Sequence, residues 1–220
     1  MTNGEDLKNI VKDKYGSIAR TAGGLKGCGC GCSGDCSDTW TMDPAYAGIE
    51  GYVPEADLGL GCGLPVQFAG IKPGQTVVDL GAGAGNDVFI ARRIVGGAGR
   101  VIGVDMTQEM IDQALRNTAK LGYDNVDFKL GDIEALPLSG GTADVVISNC
   151  VLNLVPDKAK AFAEILRVLK PGAHFCISDI VLRGELPDKL RAAAEMYAGC
   201  VSGALQENEY LDIIRNLDIF

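Results

Sequence analysis

Val77-Val78-Asp79-Leu80-Gly81-Ala82-Gly83-Ala84-Gly85 is the stretch whose reading decides the fold of this 220-residue chain. Its apolar start predicts a short strand over 77–80, entered from the turn Lys72-Pro73-Gly74. The glycines that follow let the backbone turn sharply and let a ligand approach it closely. Val88, Ala91 and Val95 then recur at helical spacing up to a stop at Gly96-Gly97. A strand, a glycine loop and a helix in that order place a ligand by the helix N-terminus, at the carboxyl edge of a sheet.

Outward from this unit the same alternation continues. Val101 to Val104 reads as a second strand. Thr107 is placed to cap a helix whose core face is Met110, Ile111, Ala114, Leu115 and Thr118. A third strand is expected over 126–130 and a fourth at Val145-Val146-Ile147. The helix after Pro156-Asp157 presents Phe162, Ile165, Leu166 and Leu169, and a fifth strand runs from about His174 to Ser178. Strands alternating with helices predict an α/β fold, a parallel sheet with helices on both faces. Upstream, Leu7, Ile10, Val11 and Tyr15 predict a helix over 5–19. Gly23 to Cys36 is too rich in glycine and cysteine to pack a core, and 37–70 reads as irregular. Downstream, Pro187 opens a helix, and a last helix lies near Gln206–Leu217. The expected organisation is an N-terminal helix, Cys/Gly-rich segment and loop over 1–70, a ligand-binding core over 71–180, and a helical segment over 181–220.

Composition narrows the function. Apolar residues make up 47% and charged residues 22%, the balance of a globular chain. Acidic residues number 29 against 20 basic ones, for a net charge of −9, so phosphate backbones are repelled and no nucleic acid is expected as partner. No apolar run reaches the roughly 18 residues of a membrane span, and the polar start lacks a signal peptide's apolar segment. No membrane partner and a cytoplasmic location are expected. In a reducing compartment the eight cysteines read as ligands, nucleophiles or small buried hydrophobes rather than disulfides. The one histidine, His174, lies in an apolar run and reads as structural. Cys176 reads as core, and Trp40 is given no role. The tract Cys28, Cys30, Cys32 and Cys36 lacks the paired spacing of a zinc site and reads as a flexible tail without a catalytic role, with metal capture or delivery of a soft substrate inward as the alternative.

The glycine loop carries a further distinction. A dinucleotide G-x-G-x-x-G beginning at Gly81 needs glycine at 86, where the chain has Asn86. The pattern present is G-x-G-x-G preceded by Asp79. Asp105 follows the second strand 20 residues after Gly85 (105 − 85 = 20), the interval at which a carboxylate meets ribose hydroxyls. This resembles class I S-adenosylmethionine-dependent methyltransferases; a doubly wound fold binding another nucleotide is the alternative. The resemblance implies a Rossmann-like sheet with Asp79, Gly81, Gly83 and Gly85 against the amino-acid part of the cofactor. It implies Asp105 on the ribose, Met106 packed on the adenine, and Asp132 beside Ile133 at the adenine amino group. Asn149 completes the implied cofactor set. Tyr15 is a further implied contact, from a helix that covers the cofactor in relatives.

Three cysteines suggest the substrate. Cys62 lies in Leu60-Gly61-Cys62-Gly63-Leu64-Pro65, Cys150 ends the fourth strand, and Cys200 lies in Ala198-Gly199-Cys200-Val201. Taken singly, each reads as a small buried hydrophobe. Cys150 borders the cofactor cleft in this architecture, and a soft sulfur there points to a soft substrate. The segments Ala56–Gly63, Gly103–Thr107, Ile147–Leu154 and Tyr197–Leu205 resemble arsenite methyltransferases, a likeness running from about Val11 to the chain end. It implies that Cys62, Cys150 and Cys200 bind trivalent arsenic, as arsenite or methylarsenite, and that glutathione or thioredoxin keeps them reduced. A small-metabolite C- or O-methyltransferase, or a thiol-rich metalloid-binding protein without turnover, are the other readings. Class I sheets usually finish with two more strands, and this chain stops where they would begin. A fragment or a naturally short sheet is therefore expected, with the fifth strand an open edge.

Overall fold

The structure, a computed structural model, describes residues 4–22, 46, 48–185 and 203–217. Helix α1 (Gly4–Ala22) comes first; residues 48–64 are irregular and lead into a single turn of helix, α2 (Pro65–Phe68). The alternating unit then runs β1 (Thr76–Leu80), α3 (Asn86–Val95), β2 (Arg100–Asp105), α4 (Gln108–Leu121) and β3 (Val126–Leu130). It continues with β4 (Ala143–Asn149), a 3-10 turn (Leu152–Leu154), α5 (Lys158–Val168) and β5 (Leu169–Ser178). Helix α6 (Glu207–Arg215) follows.

The five strands form one sheet in the order β3-β2-β1-β4-β5, and every neighbouring pair is parallel. Strand side chains alternate between faces, so the sheet divides the core in two. Val77, Val101, Val145 and Ile147 pack with Val88 and Phe89 of α3. Val78, Leu80, Ile102, Val104 and Val146 pack with Phe162 and Ile165 of α5 and Tyr210 of α6. Near-continuous apolar runs such as Val77-Val78 and Val145-Val146-Ile147 are what a parallel strand covered on both faces requires.

Several expectations change in detail. Leu115 is 47% exposed, whereas Asn117 is buried and its Nδ2 donates to the Ala84 carbonyl at 3.1 Å. A polar side chain that ties α4 to the glycine loop thus displaces leucine from the inner face. Thr107 sits at the N-cap of α4 without a side-chain capping bond; its own N–H donates to Asp105 Oδ1 at 2.8 Å. In α5, Val168 rather than Leu166 completes the buried face. β5 starts at Leu169, directly after α5, with a register shift against β4 between Ala143 and Val145. It is an edge among the described residues and no position along it is fully buried, which accommodates Pro171, a residue with no N–H to give. His174 is accordingly exposed, its Nε2 2.7 Å from the Ala69 carbonyl oxygen. Cys176 is half-buried against the α3-side core. Among the described residues no helix is long and apolar enough to cross a membrane. The cysteine tract, Trp40, the helix expected from Pro187 and Cys200 lie outside the described residues.

Candidate active site at the carboxyl edge of the sheet

Strand order reverses between β1 and β4, and in open parallel sheets ligands bind in the crevice at such a point. A cleft enclosing about 1070 Å³, open solvent included, lies there. From β1 and its loop it is lined by Asp79, Gly81 and Gly83, from β2 by Asp105 and Met106, from the turn after β3 by Asp132 and Ile133, and from β4 by Asn149 and Cys150. Tyr15 and Val11 of α1 line it from outside the sheet. Gly81 has φ +69°, and a Cβ there would fall 2.4 Å from Val151 Cγ2. Gly85 forms the N-cap of α3 and stands apart from the cleft lining; a Cβ there would meet the Phe89 ring at 2.7 Å. Its conformation shapes the loop.

The cleft is strongly acidic. Asp57, Asp79, Asp87, Asp105 and Asp132 line it, against one cation, Lys8. Burial, and then the charges of Asp87 and Asp105, hold the Asp79 carboxyl well above the usual carboxylate range. Burial pushes Asp87 up to about 6, although Asn149 and Tyr46 donate to it. Asp105 is raised by burial too, against the pull of the Thr107 and Gly83 amides. Gly83 N–H donates to Asp105 Oδ2 at 3.0 Å, which closes the glycine loop onto β2. Asp132 goes the other way: partial burial is outweighed by Lys8, whose Nζ lies 2.6 Å from it and 2.8 Å from Glu134. Asn86 Oδ1, at the mouth of α3, is buried with no hydrogen-bond partner among the described residues.

Beside the cleft the fold brings two of the three expected thiols together. Sγ of Cys62, Sγ of Cys150 and a carboxylate oxygen of Asp179 all lie within 4.8 Å of one another. Neither Cys62 nor Cys150 is in a disulfide. Cys150 is one residue past β4, at φ +61°, a left-handed conformation unusual for a side chain with a Cβ. Its N–H donates to the Ser178 carbonyl at 2.7 Å, and the Cys62 thiol donates to the same oxygen at 3.5 Å. The Cys62 loop is held by Asn149, whose Oδ1 accepts from Cys62 N–H at 3.0 Å and Gly63 N–H at 3.2 Å. Asn149 therefore lines the cleft but turns its amide to the thiol loop. Val11 and Leu154 bury Cys150, with Tyr15, Cys62, Met106 and Ile180 packed around them.

Sequence reasoning did not single out Asp179, Tyr210, Asp87, Tyr46 or Lys8. Asp179 had a usable signal, since it follows β5 at the same sheet edge as Cys150 follows β4. Tyr210 and Tyr46 had none, because each reaches the site from a distant element.

The methyltransferase-domain family matches residues 71–217. The chain is 44% identical over 214 residues to an arsenite methyltransferase of Halobacterium salinarum, covering 91% of this chain and 54% of that protein. It is 34% identical over 216 residues to one from Aquipseudomonas alcaligenes, covering 95% and 61%. Among solved structures it is similar to an arsenic(III) S-adenosylmethionine methyltransferase from Chlamydomonas reinhardtii, with 40% identity and a TM-score of 0.64 over 72% of this chain and 55% of that one. The chain thus spans between half and two thirds of the length of the curated relatives it matches. With a class I parallel sheet, a glycine loop at its switch point and a family match over most of its length, the chain belongs to the methyltransferase-domain family.

Proposed function

We propose that this chain transfers methyl groups from S-adenosylmethionine to trivalent arsenic held by Cys62, Cys150 and Cys200. The observation that carries the reading is the meeting of the Cys62 and Cys150 sulfurs beside the acidic cleft. The relatives named as arsenite methyltransferases support it.

The cleft residues fit the cofactor. With Lys8 already paired to Asp132 and Glu134, the remaining aspartates of the lining, Asp79 held toward its neutral form among them, favour a ligand bearing ammonium and sulfonium charge over one bearing phosphates. The unpartnered Asn86 Oδ1 calls for a donor from such a ligand. Asp79, Gly81 and Gly83 would hold its amino-acid part, Asp105 its ribose, and Met106, Asp132 and Ile133 its adenine. When bound, S-adenosylmethionine supplies an electrophilic methyl on a positively charged sulfur.

Trivalent arsenic is thiophilic, three-coordinate and retains a lone pair, so the substrate itself is the nucleophile. The chain need not supply a general base for the transfer, which suits a site without histidine. Its work is orientation at close range. The Cys62 thiol gives up its bond to the Ser178 carbonyl when arsenic takes its sulfur, and the loss of thiol protons makes binding pH-dependent. Val11, Leu154 and Tyr15 exclude water from Cys150. A cellular thiol such as glutathione or thioredoxin would keep the sulfurs reduced, in the cytoplasm.

Incubation with arsenite, S-adenosylmethionine and glutathione, followed by arsenic speciation, tests the reading. Methylarsenicals are expected, and Cys150→Ser should abolish them while cofactor binding persists. Arsenic retained without product would leave a metalloid-binding protein, and full turnover by Cys150→Ser would refute the thiol site.

A further inference from the structure

Asp179 is the group beside the two sulfurs for which methyl transfer gives no use. Its place follows from the sheet edge. Ser178 ends β5, and its carbonyl accepts both the Cys150 N–H and the Cys62 thiol. The next residue is therefore delivered to the sulfurs, within 4.8 Å of both. One carboxylate oxygen, Oδ2, accepts from the Tyr210 hydroxyl at 2.9 Å. Tyr210 is buried and packs edge-on against Phe162, with centroids 5.8 Å apart, so Asp179 is held in one orientation. The other oxygen, Oδ1, is buried and has no hydrogen-bond partner among the described residues, although the Lys158 charge and the Asn153 amide also act on the carboxylate. A buried carboxylate oxygen without a donor is costly. The site calls for a ligand that brings one.

Arsenous acid brings such donors. It carries three hydroxyls on arsenic. Each thiol that binds forms one As–S bond and breaks one As–O bond, and its proton leaves with the departing hydroxyl as water. Arsenic stays trivalent throughout, and no oxidant or reductant is needed. After Cys62 and Cys150 have bound, one hydroxyl remains. We propose that the Asp179 carboxylate accepts a hydrogen bond from this remaining hydroxyl and so holds arsenite in its two-thiolate state until a third thiol replaces the hydroxyl. The inference rests on the arsenic reading above and makes Asp179 a substrate-selecting residue within it. Methylarsenite has only two hydroxyls, loses both to the two thiols, and offers Asp179 nothing.

That difference is the test. The full chain is prepared with Cys28, Cys30, Cys32 and Cys36 changed to serine, so the tract takes up no arsenic, and with Cys200→Ser, so the last hydroxyl is retained. Arsenite and methylarsenite binding are measured by equilibrium dialysis at pH 8 without S-adenosylmethionine. Adding Asp179→Ala should weaken arsenite about tenfold, in line with loss of a charge-assisted bond, and leave methylarsenite within twofold. Asp179→Asn, nearly the same shape, should lose about threefold on arsenite alone and carries the comparison should the alanine variant not fold. Methylarsenite binding reports that each variant's thiol pair is intact. Equal effects on both arsenicals, or none, would overturn the role of Asp179 and leave the thiol site standing. A parent that fails to bind methylarsenite would overturn the two-thiolate state and with it the role of Asp179, whereas the arsenic reading itself falls only if the unaltered chain forms no methylarsenicals.

Discussion

Both ends of the Asn149 amide reach the thiol loop, and its Nδ2 also donates to Asp87 Oδ2 at 3.0 Å. Its Nδ2 donates to the Gly63 carbonyl at 2.8 Å and to the Tyr46 hydroxyl at 2.7 Å, while Oδ1 takes the Cys62 and Gly63 amides. The two glycines flanking Cys62 let this happen by lacking bulk. A Cβ at Gly61 would lie 2.8 Å from Asn149 Nδ2, and one at Gly63 would lie 2.6 Å from Ser178 Oγ and 2.7 Å from its Cβ. Gly63→Ala is expected to lower arsenite methylation at least tenfold with the S-adenosylmethionine dissociation constant within threefold. Kinetics paired with calorimetry check this, and an equal loss of cofactor affinity would move the loop's role to the cofactor. Cys150 separates function from stability in a different way. Its left-handed φ costs about 1–2 kcal/mol for a side chain with a Cβ and little for glycine. Cys150→Gly should therefore methylate no arsenite yet melt no more than about 2 °C below the parent in a thermal scan.

Helix α1 closes the cleft from outside the sheet. It is attached by Lys8 to Asp132 and Glu134, by Arg20 to Glu109, and by Val11 on Cys150. The Lys8 side chain is 19% exposed, so its ion pairs are better shielded than ordinary surface ones. Lys8→Met leaves Asp132 and Glu134 without their hydrogen-bonded cation, Lys12 still acting on Asp132. Hydrogen exchange over residues 4–22 should then speed up at least tenfold while β1 and β4 keep their protection. Unchanged exchange in α1 would mean that apolar packing alone holds the helix. At this scale the sequence was most legible where structure is local. Asp79 through Gly85 could be read directly because a strand, a sharp turn and a helix start depend on neighbouring residues. The inner face of α4 was misread because Asn117 is drawn inward by the Ala84 carbonyl, a partner 33 positions away. The length of β5 was misread because Leu169 already pairs with Ala143, ahead of the Pro171-Gly172 turn, which survives as an irregularity in the register before His174 pairs with Val145.

Over the whole molecule, excess negative charge and buried carboxylates act in the same direction on stability. Asp87 and Asp179 are both pushed to about 6, by burial first, from an ordinary value of 3.8. Raised carboxyls bind protons more tightly in the folded state. Their stabilising effect is complete below about 3.8 and is lost as pH rises through about 6. Asp132, Asp144 and Glu164 are held low by basic partners, so their contribution persists at higher pH and falls away only below about 4. The melting temperature should consequently rise by about 4 °C from pH 7.5 to pH 5.5, as scanning calorimetry can measure. Asp179→Asn should flatten part of that slope; a melting temperature that falls on this acidification would show that the buried carboxyls do not govern it.

The parallel sheet, the glycine loop and the acidic cleft residues at the carboxyl ends of β1, β2 and β3 were written in the sequence itself. Each depends on short-range pattern: apolar runs, glycine where backbones turn, and a carboxylate at a strand's end. The union of Cys62 with Cys150 and the addition of Asp179 were decided by tertiary structure alone. Strand pairing between β4 and β5 sets Cys150 beside Ser178, an amide on β4 draws in a remote loop, and a tyrosine from the last helix orients the carboxyl group. No spacing along the chain encodes contacts that arise only when separate elements end at the same edge of one sheet.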